Sequence, residues 1–352
     1  MTYRVIQWAT GNVGRNAIEG ILAHPELELV GVLTYDPAKA GRDAGELCGI
    51  DPIGVTATDD VDAVLALGAD CVLYAPMLPN TGEVLRIVRA GCNVVTPTGW
   101  FYPFAAHDVT DLEAACREAG VSIHGTGIHP GGITEQIPLV LSGFCRDIRH
   151  VRAEEFSDIR SYASEFVVRE IMLFGKPPAE AAASPMLAIL GDGFGQSIDL
   201  VAAAVGWDLD PVKPASIETA LATAPIDTPV GVIDTGTIAA QRLTWQGTVG
   251  GEVVMTVRVN WLMGTDHLDP PWDFGLEGER FEVAIDATPP VSTVFHGLHP
   301  ASTDDDLDRN PGIIATALHG VNAIPAVVAA APGIRTYLDL PLMAGRAAAP
   351  DA

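Results

Sequence analysis

The stretch RVIQWATGNVG at residues 4–14 narrows what this chain can fold into more than any other. A short apolar run meets a tight turn, Ala9-Thr10-Gly11-Asn12-Val13-Gly14, and a helix-compatible NAIEGILAHPE follows at once. Strand, glycine turn and helix in that order lay a pyrophosphate across a helix N-terminus, where backbone N–H groups and the helix dipole attract anions. Gly11 lets the backbone approach phosphates closely, and Gly14 lets the helix pack tightly on the strand. Ala9 stands where such fingerprints usually begin with glycine, so the pattern is a variant whose strength lies in its context. The alternative is a glycine turn in an α/β fold that holds no nucleotide.

Strand patterns at 4–10, 27–35, 69–76, 92–98 and 121–127 alternate with helix patterns at 13–24, 59–67, 80–90 and 108–119. Val84, Ile87 and Val88 show the apolar helical stripe. This alternation predicts right-handed βαβ units and a doubly wound parallel sheet. Ligands of such sheets sit outside the carboxyl ends of the strands. The turns at 9–15, 34–42, 75–80 and 96–103 are therefore predicted to line a dinucleotide. The candidate cofactor residues are Ala9, Thr10, Gly11, Asn12, Val13, Gly14, Arg15, Tyr35, Asp36, Lys39, Ala75, Pro76, Thr96 and Thr98. Asp36 lies about 20 residues past the turn, where an acid holds the ribose of NAD. Lys39, Arg42 and Arg15 would instead hold a 2′-phosphate. The cofactor is read as NADP or NAD, leaning to NADP or dual use.

Bulk properties exclude other classes. The 352 residues suggest two domains, and nearly half are apolar. A net charge of −25 repels nucleic acid and anionic membranes. Five scattered cysteines with no C-x-x-C suit reduced thiols in a cytoplasmic protein. The first strand begins too early to leave room for a signal peptide, and no uninterrupted apolar run suits a membrane span. No metal site is expected: His296 and His299 share an H-x-x-H, but Pro300 and Gly297 argue for a loop and no third ligand cluster is evident. The acidic run at Asp304, Asp305, Asp306 and Asp308 lacks the glycine and spacing of a calcium loop.

Beyond about residue 147 the pattern changes. Segments 164–174 and 179–205 read helical, the second punctuated by GDGFG at 191–195. Strands are predicted near 231–246, 252–263 and 279–287. Val253, Met255, Val257, Val259 and Trp261 alternate with Val254, Thr256, Arg258 and Asn260, a half-buried antiparallel strand with a polar face. Such a face pairs readily across a two-fold axis, which predicts a homodimer. Residues 311–331 read as a helix that Pro325 would kink or end. The predicted domains are 1–145 for the dinucleotide, 146–310 as an α+β domain with an antiparallel sheet, and 311–352 as a C-terminal helix.

Hydride transfer needs orientation and one group that handles a proton. His129, in the turn GTGIHPGG, is the first candidate, since an unshifted imidazole titrates near neutrality. Glu135 would orient His129 or act itself, or else serve as a first-turn helix residue. Tyr102 would offer a hydroxyl. Trp100 and Phe101 beside it read as an apolar wall near the substrate, or as packing. Arg160 and Arg169 are the candidates for a substrate carboxylate.

Four segments, QWATGNVGRNAIEGI, DPAKAGRDAGELCG, GTGIHPGGITEQIPL and VNAIPAVVAAAPGIRTYLDLP, together with TPTGWFYP, resemble the dihydrodipicolinate reductase-like oxidoreductases. The branch they resemble most contains 2,4-diaminopentanoate dehydrogenase and the native amine dehydrogenases. The resemblance implies a Rossmann domain, then an α+β domain, usually in a homodimer. It also implies that the helix carrying His319 and Asn322 returns to the nucleotide domain, where both would line the substrate. In amine-forming members a glutamate pair precedes a tyrosine-proline. Tyr102-Pro103 match, but the glutamate positions fall on Thr98 and Gly99. His129 stands where the family pattern has asparagine. The reading is an NAD(P)-dependent oxidoreductase acting on a C=O or C=N bond of a small, fairly apolar substrate. Its alternatives are an amine dehydrogenase or imine reductase with a replaced catalytic group, and a non-catalytic NAD(P)-binding sensor.

Overall fold

The computed structural model describes residues 2–302 and 309–347. The chain divides into two compact units, Met1–Gly132 with Ile313–Ala352, and Ile133–Gly312. The first contains β1 (Tyr3–Trp8), α1 (Asn12–Ala23), β2 (Leu27–Leu33), α2 (Ala44–Cys48), β3 (Ala57–Thr58), α3 (Val61–Leu65), β4 (Cys71–Tyr74), α4 (Thr81–Arg89), β5 (Asn93–Thr96), α5 (Thr110–Ala119) and β6 (Ser122–Gly125). The second contains α6 (Ile137–Ser142), β7 (Arg146–Asp158), α7 (Pro178–Ala182), α8 (Met186–Val205), β8 (Ala215–Ala222), β9 (Ile238–Val249), β10 (Glu252–Leu262), β11 (Leu268–Asp269), β12 (Arg280–Thr288) and β13 (Val291–Phe295). Helix α9 (Pro311–Val328) and β14 (Gly333–Ile334) bring the chain back to the first unit.

All neighbours in the first sheet run parallel, in the order β14-β6-β5-β4-β1-β2-β3. Cys71 to Tyr74 and Asn93 to Thr96 are buried throughout, as strands covered on both faces must be. One face packs Ile18, Ile21, Val321, Ile324 and Val327 of α1 and α9. The other packs Val84, Ile87, Val88, Leu112 and Cys116 of α4 and α5. Each such side chain contributes about 1.5–3 kcal/mol. Gly20 lets α9 approach α1, for a Cβ there would lie 2.7 Å from Leu318 Cδ2. Strand order reverses direction between β1 and β4, so their carboxyl ends open the crevice where a ligand belongs.

The second sheet runs β11-β8-β9-β10-β7-β12-β13. It is antiparallel except at β10 and β7, which pair in parallel. One face carries Val151, Ala153, Met255, Val257, Val259 and Ile285, and packs with Phe194, Ile198 and Val201 of α8. The opposite face is a network of charge: Arg152 bonds Glu154 and Glu282, Arg280 bonds Glu282 at 2.9 Å, and Asn260 donates to Glu154 at 2.9 Å. Arg242 Nε donates to Asn260 at 2.8 Å.

Several sequence expectations shift. The second unit opens at Ile133 rather than 146, because α6 packs on β7, α8 and β12. Strand β7 lies in a stretch assigned no strand. Of 164–174, residues 165–171 are helical, with Val167–Ile171 as one wide turn. GDGFG does not interrupt α8. Its Gly191 lies against Trp245, whose Nε1 would sit 2.7 Å from an added Cβ. Helix α9 continues past Pro325 only to Val328. Helices α8 and α9 are each long and apolar enough to cross a membrane by composition, yet both supply core residues to the units described. The run Asp304 to Asp308 lies outside the described residues.

Candidate functional site

The glycine turn leaves β1 and enters α1 directly. Ala9 takes a left-handed conformation, φ +75°, and its N–H donates to the Leu33 carbonyl at 2.9 Å. Gln7 Nε2 donates to the carbonyls of Trp8 and Ala9 and fixes the bend. A Cβ on Gly14 would fall 2.1 Å from the Ala9 carbonyl oxygen, so only glycine fits. Gly11 has nothing within 4 Å of such a Cβ. Gly11 is also the N-cap of α1, and no side chain caps that end. An open space over uncapped N–H groups fits a pyrophosphate.

The neighbouring turns place the other cofactor candidates. Thr10 Oγ1 and Thr34 Oγ1 share a hydrogen bond of 3.1 Å. Lys39 Nζ donates to the Thr10 carbonyl at 3.2 Å, and Arg15 donates to Asn12 Oδ1 at 2.7 Å. Both cations therefore lie at the glycine turn, whereas the Asp36 carboxylate accepts from the Ala38 N–H in its own exposed loop. Ala75 N–H donates to the Trp8 carbonyl and carries the chain out to Pro76 at the crevice. Thr96 Oγ1 shares a hydrogen bond with Thr98 Oγ1 at 2.9 Å. Val13 is half-buried in the first turn of α1. Tyr35 is 51% exposed and bonds away from its own loop, to Glu83.

The turn after β5 passes directly over β6: a Cβ on Gly125 would meet the Gly99 carbonyl oxygen at 2.2 Å. Trp100 is half-buried with φ +56°. Phe101 is 3% exposed. Tyr102 packs edge-on against Phe104.

Both ring nitrogens of His129 are out of reach of solvent, and burial lowers its pKa to about 3. The imidazole is neutral at pH 7, which removes the near-neutral titration that recommended it. His319 is lowered to about 4 by the same cause. His319 Nε2 and Tyr337 Oη lie 2.8 Å apart, and Tyr337 Oη and Thr126 Oγ1 lie 2.6 Å apart. This chain of hydrogen bonds joins α9 to the end of β6. Asn322 lies near the C-terminal segment, its Nδ2 3.8 Å from a Cβ placed on Gly345.

Glu135 belongs to the second unit and is fully buried. Thr134 Oγ1 donates to its Oε2 at 2.6 Å, and Ser197 Oγ donates to its Oε1. Arg160 grips Asp158, and Arg169 donates to the Val230 and Val232 carbonyls. Both guanidinium groups are engaged in holding loops. His299 Nε2 lies 2.7 Å from Ser157 Oγ while His296 faces Glu277, so the two histidines point to different partners. Sequence reasoning passed over Trp8, Tyr74, Glu83 and Tyr337. Glu83 had a signal of another kind: Asn80-Thr-Gly-Glu83 is a helix-start pattern, and Asn80 does cap α4.

A parallel sheet with a glycine turn at its switch point, followed by a mostly antiparallel sheet, defines a Rossmann dehydrogenase architecture. Residues 5–124 match the dihydrodipicolinate reductase N-terminus family, and residues 133–261 match the 2,4-diaminopentanoate dehydrogenase C-terminal domain. An amine dehydrogenase from Streptomyces virginiae is 35% identical over 96% of each chain. The 2,4-diaminopentanoate dehydrogenase of Acetoanaerobium sticklandii is 24% identical over 96% of this chain and 93% of its own. The amine dehydrogenase structure from Mycobacterium smegmatis superposes with a TM-score of 0.79 at 22% identity, covering 98% of each chain. The chain belongs to the amine dehydrogenase and 2,4-diaminopentanoate dehydrogenase family of oxidoreductases.

Proposed function

We propose that this chain is an NAD(P)-dependent oxidoreductase that moves a hydride to or from the carbon of a C=N or C=O bond in a small, fairly apolar substrate. The observation that carries the reading is 35% identity, over nearly the whole length, to a protein named for amine oxidation. The glycine turn supports it, with its open cradle at Gly11 and its close approach at Gly14.

Bound nicotinamide supplies the hydride acceptor or donor. The N–H groups of Asn12, Val13 and Gly14 would hold the pyrophosphate, with Ala9 and Thr10 shaping the bend. Ala75, Pro76, Thr96 and Thr98 edge the crevice toward the reacting end. Of the proton-handling candidates, His129 serves as a neutral hydrogen-bonding group, since burial keeps it unprotonated. Glu135 and Tyr102 remain the ionisable candidates. The substrate side is assigned to Trp100 and His319, and engaged guanidiniums at Arg160 and Arg169 favour a substrate without a carboxylate.

With no carboxylate at Thr98 or Gly99, amine formation from a carbonyl on this chain would draw on Glu135 or Tyr102 for its proton, and the two bond types differ in that demand. Hydride addition to a protonated imine yields a neutral amine and requires no acid from the protein. Reduction of a ketone places negative charge on oxygen and requires a donor. We further propose a cytosolic homodimer that pairs through the charged face of the second sheet.

The test follows oxidation of NADPH and NADH with a panel of small ketones plus ammonium, and of preformed imines. Turnover of any member supports the reading. Tight binding of reduced cofactor without turnover of the whole panel favours a sensor instead. No binding of either cofactor removes the dinucleotide reading altogether.

A further inference from the structure

In sheets of this kind an acid at the end of the second strand holds the adenosine ribose. Here β2 ends at Leu33, and Thr34 and Tyr35 follow it. Thr34 is turned to Thr10, and Asp36 Oδ1 accepts the Ala38 N–H within its own exposed loop. Tyr35 instead reaches the first turn of α4, where its hydroxyl donates to Glu83 Oε2 at 2.7 Å. Tyr74, at the end of β4, donates to the same oxygen at 2.6 Å.

The direction of these bonds is fixed. Trp8 Nε1–H donates to the Tyr35 oxygen at 2.8 Å, and the Asn80 N–H donates to the Tyr74 oxygen at 3.2 Å. Indole and amide N–H groups only donate, so each phenol oxygen already serves as an acceptor and its own hydrogen is left for Glu83. Both hydroxyl hydrogens fall on one oxygen of Glu83 and hold it between the two rings. Burial first, then the hydrogen bond to Glu83, raises Tyr35 to about 12, and Tyr74 is raised by the same two causes. Both phenols therefore keep their hydrogens at any physiological pH. Glu83 Oε1 takes no hydrogen bond among the described residues.

The ends of β1, β2 and β4 thus converge on one carboxylate beside the switch point. A glutamate at this helix position ordinarily reaches back to its own N-cap. This one reaches across to a half-exposed tyrosine where the ribose acid would stand.

We propose that Glu83, held by Tyr35 and Tyr74, is the acid that discriminates at the adenosine end of the cofactor. Its open oxygen takes a ribose hydroxyl of NAD, and its charge opposes the 2′-phosphate of NADP. Lys39, anchored at the Thr10 carbonyl, acts in the opposite sense. The inference rests on the dinucleotide reading above.

The experiment titrates purified protein with NADH and with NADPH, following quenching of tryptophan fluorescence. Wild type is compared with Glu83→Gln, Tyr35→Phe and Lys39→Ala, and each variant is melted to check folding. Glu83→Gln is expected to shift the affinity ratio toward NADPH by about tenfold, the scale of one charge pair near a surface. Tyr35→Phe, which keeps the ring and frees one side of Glu83, should shift it the same way by less. Lys39→Ala should shift it toward NADH. If Glu83→Gln melts poorly, the sign of the Tyr35→Phe shift decides. A ratio that stays within about twofold of wild type in the folded variants overturns the assignment to Glu83. Failure of wild type to bind either cofactor overturns the dinucleotide reading instead.

Discussion

Replacing Gly14 by alanine tests the cofactor cradle where the structure leaves least room. An added Cβ would lie 2.1 Å from the Ala9 carbonyl oxygen and 3.0 Å from Gln7 Nε2. A carbon and a carbonyl oxygen normally stay about 3.3 Å or more apart. The turn must therefore open by about 1 Å, and its partner is backbone, which has no rotamer to yield. The shift also strains the Gln7 hydrogen bond to that carbonyl, now 3.0 Å. Overpacking of this kind plus one weakened hydrogen bond costs about 2–4 kcal/mol. For a chain of 352 residues that is a fall of roughly 3–5 °C in Tm.

Gly11→Ala is the matched control. Nothing lies within 4 Å of its added Cβ. It should cost under about 1 kcal/mol of stability, as a change of cap residue. It still places a methyl in the space assigned to the pyrophosphate, so affinity for reduced cofactor should fall by about tenfold or more. Thermal unfolding and a fluorescence titration of both variants read the two effects separately. Gly14→Ala should lose stability and binding together, and Gly11→Ala binding alone. A Gly14→Ala protein that melts and binds like wild type would refute the close approach. Unchanged binding in Gly11→Ala would refute the cradle.

Acid should weaken the fold before its carboxylates titrate. His124, His129, His299 and His319 are lowered by burial to about 4, 3, 4 and 4. The unfolded chain takes up these protons near pH 6.5 while the folded chain refuses them, so stability present above that pH falls as pH drops toward 4. A Tm that stays flat from pH 7 to pH 5 would contradict the burial of these rings. On the catalytic side, a preformed cyclic imine should be reduced faster than an open-chain ketone with ammonium, by about 10²-fold if no acid serves carbinolamine breakdown; equal rates would show that another residue supplies that proton. For assembly, sedimentation should show a dimer. Glu218→Arg, exposed at the edge of the charged face and paired to Arg242 at 3.5 Å, should raise the monomer fraction without lowering Tm. A monomeric wild type would end the proposed use of that face.

What the sequence disclosed follows the range of the forces involved. The glycine turn and the buried strands of the first unit are local patterns: CVLY and NVVT are apolar enough to be strands on both faces, and a turn of six residues sets its own geometry. Strand β7 reads RDIRHVRAEEFSD, and its charges conceal it. Arg152 is tolerable in a sheet because Glu282, 130 positions away, lies beside it. That information is absent from any short window. The parallel pairing of β7 with β10 depends likewise on two strands separated by two helices and two further strands.

The site divides in the same way. The tight turn through Gly11 and Gly14 was legible because backbone geometry dictates it. His129 reads in the sequence as a free imidazole, whereas burial of its ring nitrogens lowers it to about 3, which no local pattern discloses. Tyr337 meets Thr126 across 211 positions, and Glu83 meets Tyr35 across 48. Glu83 in particular satisfies the local rule for a helix start, which gave it an ordinary explanation. Only the fixed direction of two indole- and amide-donated hydrogen bonds, visible once three strand ends converge, turns that helix-start glutamate into an oriented carboxylate at the crevice.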